Sequence, residues 1–194
     1  MKDIKEPVKI TEKQGLLLVK LARRTIEDKF KSAESCGVKC LEGELSDDAF
    51  SQKRGVFVTL HKAGQLRGCI GSLSAHRSLS EDVAENAFAA AFRDHRFSAV
   101  NEAEIDDIEM SISVLTAPEM IVFTSESDLI SQLRPGLDGL ILTEGGNRGT
   151  FLPSVWENYP QADSFLAHLK MKAGLPTDYW SGTIKVERYE TISW

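Results

Sequence analysis

Cysteine is scarce in this 194-residue chain: there are three, and an odd number in a chain this long makes no disulfide framework. Free thiols in a reducing compartment are the expectation. Basic charge is also short, with 23 Lys and Arg against 29 Asp and Glu and a net charge of −6. A protein that coats nucleic acid needs clustered cations for phosphate contacts. The longest basic cluster, at Arg23 and Arg24, is brief and is followed by Glu27 and Asp28. Nucleic acid is therefore disfavoured as a partner. No apolar run approaches the roughly 20 residues that span a bilayer, so no membrane partner is expected. The opening MKDIKEPVKI has charge but lacks the apolar centre of a secretory signal, and a cytoplasmic location is expected.

Several chemical signatures are missing as well. The glycines of TEGGNRGT (Gly145, Gly146 and Gly149) make no phosphate loop, because no Gly-Lys-Ser/Thr leads from them into a helix. The dinucleotide fingerprint and the Gly-x-Ser-x-Gly elbow are absent too. Cys36 and Cys40 have the spacing of half a zinc site, but there is no second close pair, and the four histidines stand singly at 61, 76, 95 and 168. Two loop thiols are the simpler reading, and no metal or cofactor is expected.

What is present is a mixture of helices and hairpins. Thr11-x-x-Gln14 and Ser78-x-x-Glu81 are capping boxes, each opening a helical pattern. The first stripe runs through Leu18, Ala22, Ile26 and Phe30 and should end before Gly37. The second runs through Leu79, Val83, Ala87, Ala90 and Ala91, small residues that suit close packing. GVFVTL and LRGCIG read as the arms of a β-hairpin around HKAGQ, and DGLILTEGGNRGTFL reads as another. Ile108, Met110, Ile112 and Val114 alternate with polar residues, the pattern of a half-buried strand. ADSFLAHLKMK is an amphipathic helix stopped by Gly174, with Leu175 placed for a Schellman contact. TIKVERYETISW is a closing strand, edge or central, with a break in its alternation. Without a βαβ rhythm, the pattern gives an α+β fold with a mostly antiparallel sheet and flanking helices. The acidic loop from Ser35 to Asp48 is the one plausible seam, dividing subdomains and not independent domains.

LRGCIG, residues 66–71, is the stretch that invites chemistry. Regular alternation sends Arg67 and Cys69 to one face and Leu66, Gly68 and Ile70 to the other. Gly68 and Gly71 permit a ligand or another backbone to come close. A guanidinium beside a thiol favours the thiolate, so Cys69 is a candidate nucleophile or ligand-binding thiol and Arg67 a candidate anion holder. The competing reading is a buried, inert cysteine with an ion-paired arginine, which the six letters alone favour. In RDHRF, Asp94 sits unfavourably at a helix C-terminus unless Arg96 or Arg67 pairs with it. His95 is a conceivable base for Cys69, though a solvated helix end is its default. Glu109, Ser111 and Ser113 share a strand face that reads as solvated, and Trp156, Trp180 and Trp194 read as core anchors.

Taken in order, GVFVTL…LRGCIG, AFRDHRF, ISVLTAPE, DGLIL, FLPSVW and KAGL…YW resemble the AMMECR domain family, whose prokaryotic members are called AmmeMemoRadiSam system protein A. The likeness runs from about Leu16 to the last residue. It implies a single domain over 1–194 with a larger and a smaller subdomain, and Leu66–Gly71 at a cleft between them. It also implies association with a Memo-type protein and a radical-SAM-type protein. The family carries no firmly established reaction, so whether the chain is an enzyme stays open. The expectation is a cleft that binds a small anionic ligand or a partner segment, with Arg67, Gly68, Gly71, Asp94 and Arg96 as ligand-binding residues and Cys69 as the catalytic candidate. The alternative is a non-catalytic adaptor for partner proteins. The family commonly has proline where this chain has His95, which argues against that histidine as a shared base.

Overall fold

A computed structural model describes residues 9–31, 41, 43–73 and 76–194. The chain divides into two compact units, one of residues 1–115 with 192–194, the other of residues 116–191.

In the first unit, helix α1 (Glu12–Glu27) opens on the expected capping box of Thr11 and Gln14, with both reciprocal bonds formed. It stops well short of Gly37, with Asp28 as its cap, and Phe30 packs beyond the helix end on Phe92 at 5.8 Å. A one-turn helix α2 (Asp48–Ser51), capped by Asp47, begins at the last residue of the acidic stretch and was not anticipated. Strands β1 (Val56–Lys62) and β2 (Gln65–Ser72) form the first hairpin, followed by helix α3 (Leu79–Phe92) and strand β3 (Ile108–Leu115). A 3₁₀ turn, Glu102–Asp107, precedes β3. Ile112 and Trp194 exchange both backbone hydrogen bonds, the narrow pair of an antiparallel ladder, so the last residues complete the sheet.

This sheet has the order β2-β1-β3-β8, where β8 is Thr191–Ser193. Its inner face carries Val56, Val58, Leu60, Ile112 and Val114, which form one core with Leu18, Leu21 and Ala22 of α1 and Val83 and Ala87 of α3. Burying each of the larger side chains contributes about 1.5–3 kcal/mol. The alanines of α3 bury little area; what they provide is closeness to the sheet.

In the second unit, β4 (Glu119–Met120), β5 (Gly139–Glu144), β6 (Asn147–Phe151) and β7 (Lys185–Tyr189) form an antiparallel sheet of order β4-β7-β5-β6. Helices α4 (Glu126–Gln132) and α5 (Ala162–Lys172) share its core through Leu129, Phe165, Leu166 and Leu169. The Schellman contact forms as read: Leu175 N–H donates to the Lys170 carbonyl and Gly174 N–H to Met171, with Gly174 at φ 81°. The break seen in TIKVERYETISW is Glu190, where the chain passes from β7 of one sheet to β8 of the other.

Candidate functional site

The hairpin that holds Cys69 is tighter than its sequence suggested. Its turn is Ala63-Gly64 alone, with φ of 49° and 73°, in place of the five-residue connection HKAGQ. Two positive φ values in a two-residue loop are the arrangement that matches strand twist. This early turn adds pairs Lys62–Gln65 and His61–Leu66, after which the ladder resumes at Leu60–Gly68. Arg67 has no partner across the ladder: it is the extra residue of a β-bulge. The regular alternation expected for LRGCIG therefore fails at this point. Leu66 lies opposite His61, on the face of Thr59 and Cys69, and not on the face of Gly68.

Arg67 is also not aimed at the thiol. Its Nη2 and Nε donate to Glu104 at 2.8 and 3.3 Å, and its Nη1 donates to the Ser98 carbonyl at 2.8 Å. Glu104 is buried in the 3₁₀ turn, where it also accepts from the Asn101 amide and from Lys62. The Arg67 hydrogen bond, with Asn101 and Lys62 assisting against burial, lowers the Glu104 pKa from 4.5 to about 2. The guanidinium proposed for anion holding is thus committed to a carboxylate.

Cys69 is held from its backbone. Its N–H donates to Asp94 Oδ2 at 2.9 Å, and its carbonyl accepts from Arg96 Nη2 at 3.1 Å. Arg96 in turn binds both Asp94 oxygens, through Nη2 at 2.7 Å and Nε at 2.9 Å. Asp94 therefore pairs with Arg96, one of the two partners its position called for. The Arg96 hydrogen bond holds its carboxyl far below the usual carboxylate range, against burial and with help from the Cys69 amide. The Asp94 hydrogen bond raises Arg96, with a smaller contribution from the nearby Cys69 sulfur. The guanidinium beside the thiol is that of Arg96; the Arg96 side chain is 47% exposed and makes no Nη1 hydrogen bond among the described residues.

Both glycines serve packing. A side chain at Gly68 would put its Cβ 2.2 Å from the Ala90 carbonyl oxygen of α3, and one at Gly71 would meet the Phe57 ring at 2.3 Å. The approach permitted at Gly68 is that of a helix backbone, so the space over it is closed to a ligand.

The thiol itself is half-buried on the face of the sheet turned away from α1 and α3, with Sγ 3.3 Å from Thr59 Oγ1. Cross-strand register sets Cys69, Thr59 and Ser111 in one row and His61 beside Glu109 in the next. The Glu109–Ser111–Ser113 face noted in the sequence is this face, joined by a Ser113–Ser193 hydroxyl contact of 2.9 Å. His95 is exposed at the end of α3. Sequence reasoning missed Thr59 and His61, which the β1 alternation and the hairpin register could have delivered. It also missed Glu104, which the Asn101-x-x-Glu104 capping-box spacing marks as a turn residue, and Ser98, for which no local signal exists. Cys36 and Cys40 lie outside the described residues. Among the described residues, no three His, Cys, Asp or Glu side chains gather as a metal ion would require. No described helix is long and apolar enough to cross a membrane.

Two antiparallel sheets with helices, and a bulged hairpin whose thiol strand is clamped by an Asp-x-Arg loop, define an α+β protein of one recognisable kind. The chain belongs to the AMMECR1 family, whose model matches residues 19–194. It is similar to a protein of Methanothermobacter thermautotrophicus, 40% identical with 93% of each chain covered. A protein of Methanocaldococcus jannaschii is 37% identical, over 93% of this chain and 89% of its own length. The crystal structure of the uncharacterised protein PH0010 from Pyrococcus horikoshii superposes with a TM-score of 0.80 at 34% identity, covering 96% of this chain and 93% of that one.

Proposed function

We propose that the protein is a cytosolic binding component whose working surface is the sheet face around Cys69, opposite α1 and α3, acting alongside Memo-type and radical-SAM-type proteins. The surface takes a small anionic ligand or a partner segment, with Arg96 in the anion-holding role first assigned to Arg67. The observation that carries this reading is the backbone clamp. Asp94 and Arg96 fix the Cys69 peptide from the outer edge and leave its thiol half-exposed beside the Thr59 hydroxyl. Such a fixed thiol, with hydroxyls in its row and a guanidinium edge nearby, suits ligand binding, and it suits nucleophilic chemistry if a base is supplied. The test is native mass spectrometry of protein purified from its own cell, together with the rate of Cys69 alkylation. A bound species lost in Cys69→Ala, and alkylation slowed by that species, are the expected results. A thiol inert in the folded protein, with nothing bound, sinks the reading.

The adaptor reading has its own support. Arg67 and Arg96 are both neutralised by buried carboxylates, so the charges of the motif build a scaffold before they attract anything. Pull-down with Memo-type and radical-SAM-type proteins tests it. It fails if neither is retained at micromolar concentration.

A further inference from the structure

A concave feature lies in the unit of residues 116–191, remote in sequence from the LRGCIG hairpin. It is a groove of about 480 Å³ with Pro135, Pro153 and Pro160 in its wall and Trp156 beneath. That volume falls in the range of small-molecule sites. We propose that this groove binds a small organic cation with a flat apolar body.

The walls are set before anything arrives. The 134–138 turn is pinned by Asp138, whose carboxylate is fully buried and accepts from the Arg134 backbone N–H at 2.9 Å and from its guanidinium. Trp156 is fixed by donating Nε1–H to the Asp138 carbonyl at 2.7 Å, and it stacks on Phe165 with ring centres 3.8 Å apart. Proline rings have little freedom to lose, so a ligand that fills the groove orders very little protein.

The polarity of the lining selects the charge. Proline has no backbone N–H, so three of the lining residues bring no backbone donor to an anion. Glu157 is the one ionisable side chain in the lining; it is exposed and in no ion pair among the described residues. Ser154 and Thr191 add hydroxyls. Apolar rings beside a free carboxylate, with few backbone donors around them, favour a ligand with a cationic group and reject an anion.

The test is a ¹⁵N NMR titration of the full chain with three probes of one shape: benzylammonium, benzyl alcohol and benzoate. Benzylammonium is expected to move the Trp156 indole N–H and the Gly136, Ser154 and Glu157 amides, with a millimolar Kd typical of so small a ligand. Benzyl alcohol should bind more weakly and benzoate least. Glu157→Gln is expected to weaken benzylammonium about threefold, as an exposed ion pair does, while leaving benzyl alcohol unchanged. The proposal is overturned if no probe moves these signals, if benzoate binds as well as benzylammonium, or if the charge preference survives Glu157→Gln.

Discussion

Asp94 stands to Cys69 as a neighbouring strand would. Its carboxylate takes the outward-facing N–H of Cys69 at 2.9 Å, while its partner Arg96 supplies a donor to the Cys69 carbonyl. Strand β2 lies at the edge of its sheet, and an unpaired edge is a template for unwanted strand addition. The pair closes that edge at the thiol. Removing Asp94 strands a backbone donor; removing Arg96 leaves a carboxylate 2% exposed with only amide partners. Asp94→Ala and Arg96→Ala are each expected to cost about 2–3 kcal/mol in urea unfolding. The double variant should cost less than their sum. Additive costs, or a Cys69 amide that exchanges no faster in Asp94→Ala, would refute the clamp.

Acid should loosen the first unit through the same groups. The Glu104 pKa lies at about 2 against an ordinary 4.5, held down chiefly by Arg67, and that of Asp94 lies lower still. A depressed carboxyl contributes stability that is complete above its unfolded pKa and disappears as pH falls through its folded one. Thermal midpoints should therefore stay level down to about pH 4.5 and fall below it. Glu104→Gln should start from lower stability and lose less on acidification. A variant whose acid profile parallels the parent's would rule Glu104 out as a contributor.

Gly68→Ala is expected to be among the most damaging substitutions in the hairpin. Its methyl carbon would sit 2.2 Å from the Ala90 carbonyl oxygen, a backbone atom that cannot rotate away. Overpacking of that kind costs typically 1–3 kcal/mol or more. Gly64→Ala, with open space around it but φ of 73°, should cost about 1–2 kcal/mol through conformation alone. Circular dichroism melts of the two variants separate the causes, and a harmless Gly68→Ala would show that α3 can shift.

Ala63 can be improved. It has φ of 49°, where an alanine is strained and asparagine is comfortable. Ala63→Asn, giving Asn-Gly at the turn, should raise stability by about 0.5–1 kcal/mol. An unchanged midpoint in urea would show that the strain at this corner is already relieved.

The features read correctly from sequence are those with local causes. Both capping boxes, the β3 alternation, the alanine face of α3 and the Gly174-Leu175 stop each depend on residues within one or two turns of each other. The site was only half legible because its geometry depends on where the chain turns. Placing the reversal at Ala63-Gly64 forces one surplus residue into β2, and that residue is Arg67. Its partner Glu104 is 37 residues away, in a turn whose Asn101-x-x-Glu104 capping-box spacing announces the turn but not a partner in β2. The Asp94–Arg96 pair could be guessed from its two-residue spacing, whereas its grip on the Cys69 peptide could not. Helix α2 was missed because one turn is too short to show a period.

The surplus residue in β2 has a consequence for how this hairpin tolerates change in length. Deleting Arg67 would leave Leu66 facing His61 and Gly68 facing Leu60, so neither end of the ladder needs to slip. Only the tether to Glu104 and Ser98 would go. At this one position, shortening the chain and re-registering the sheet are separate events.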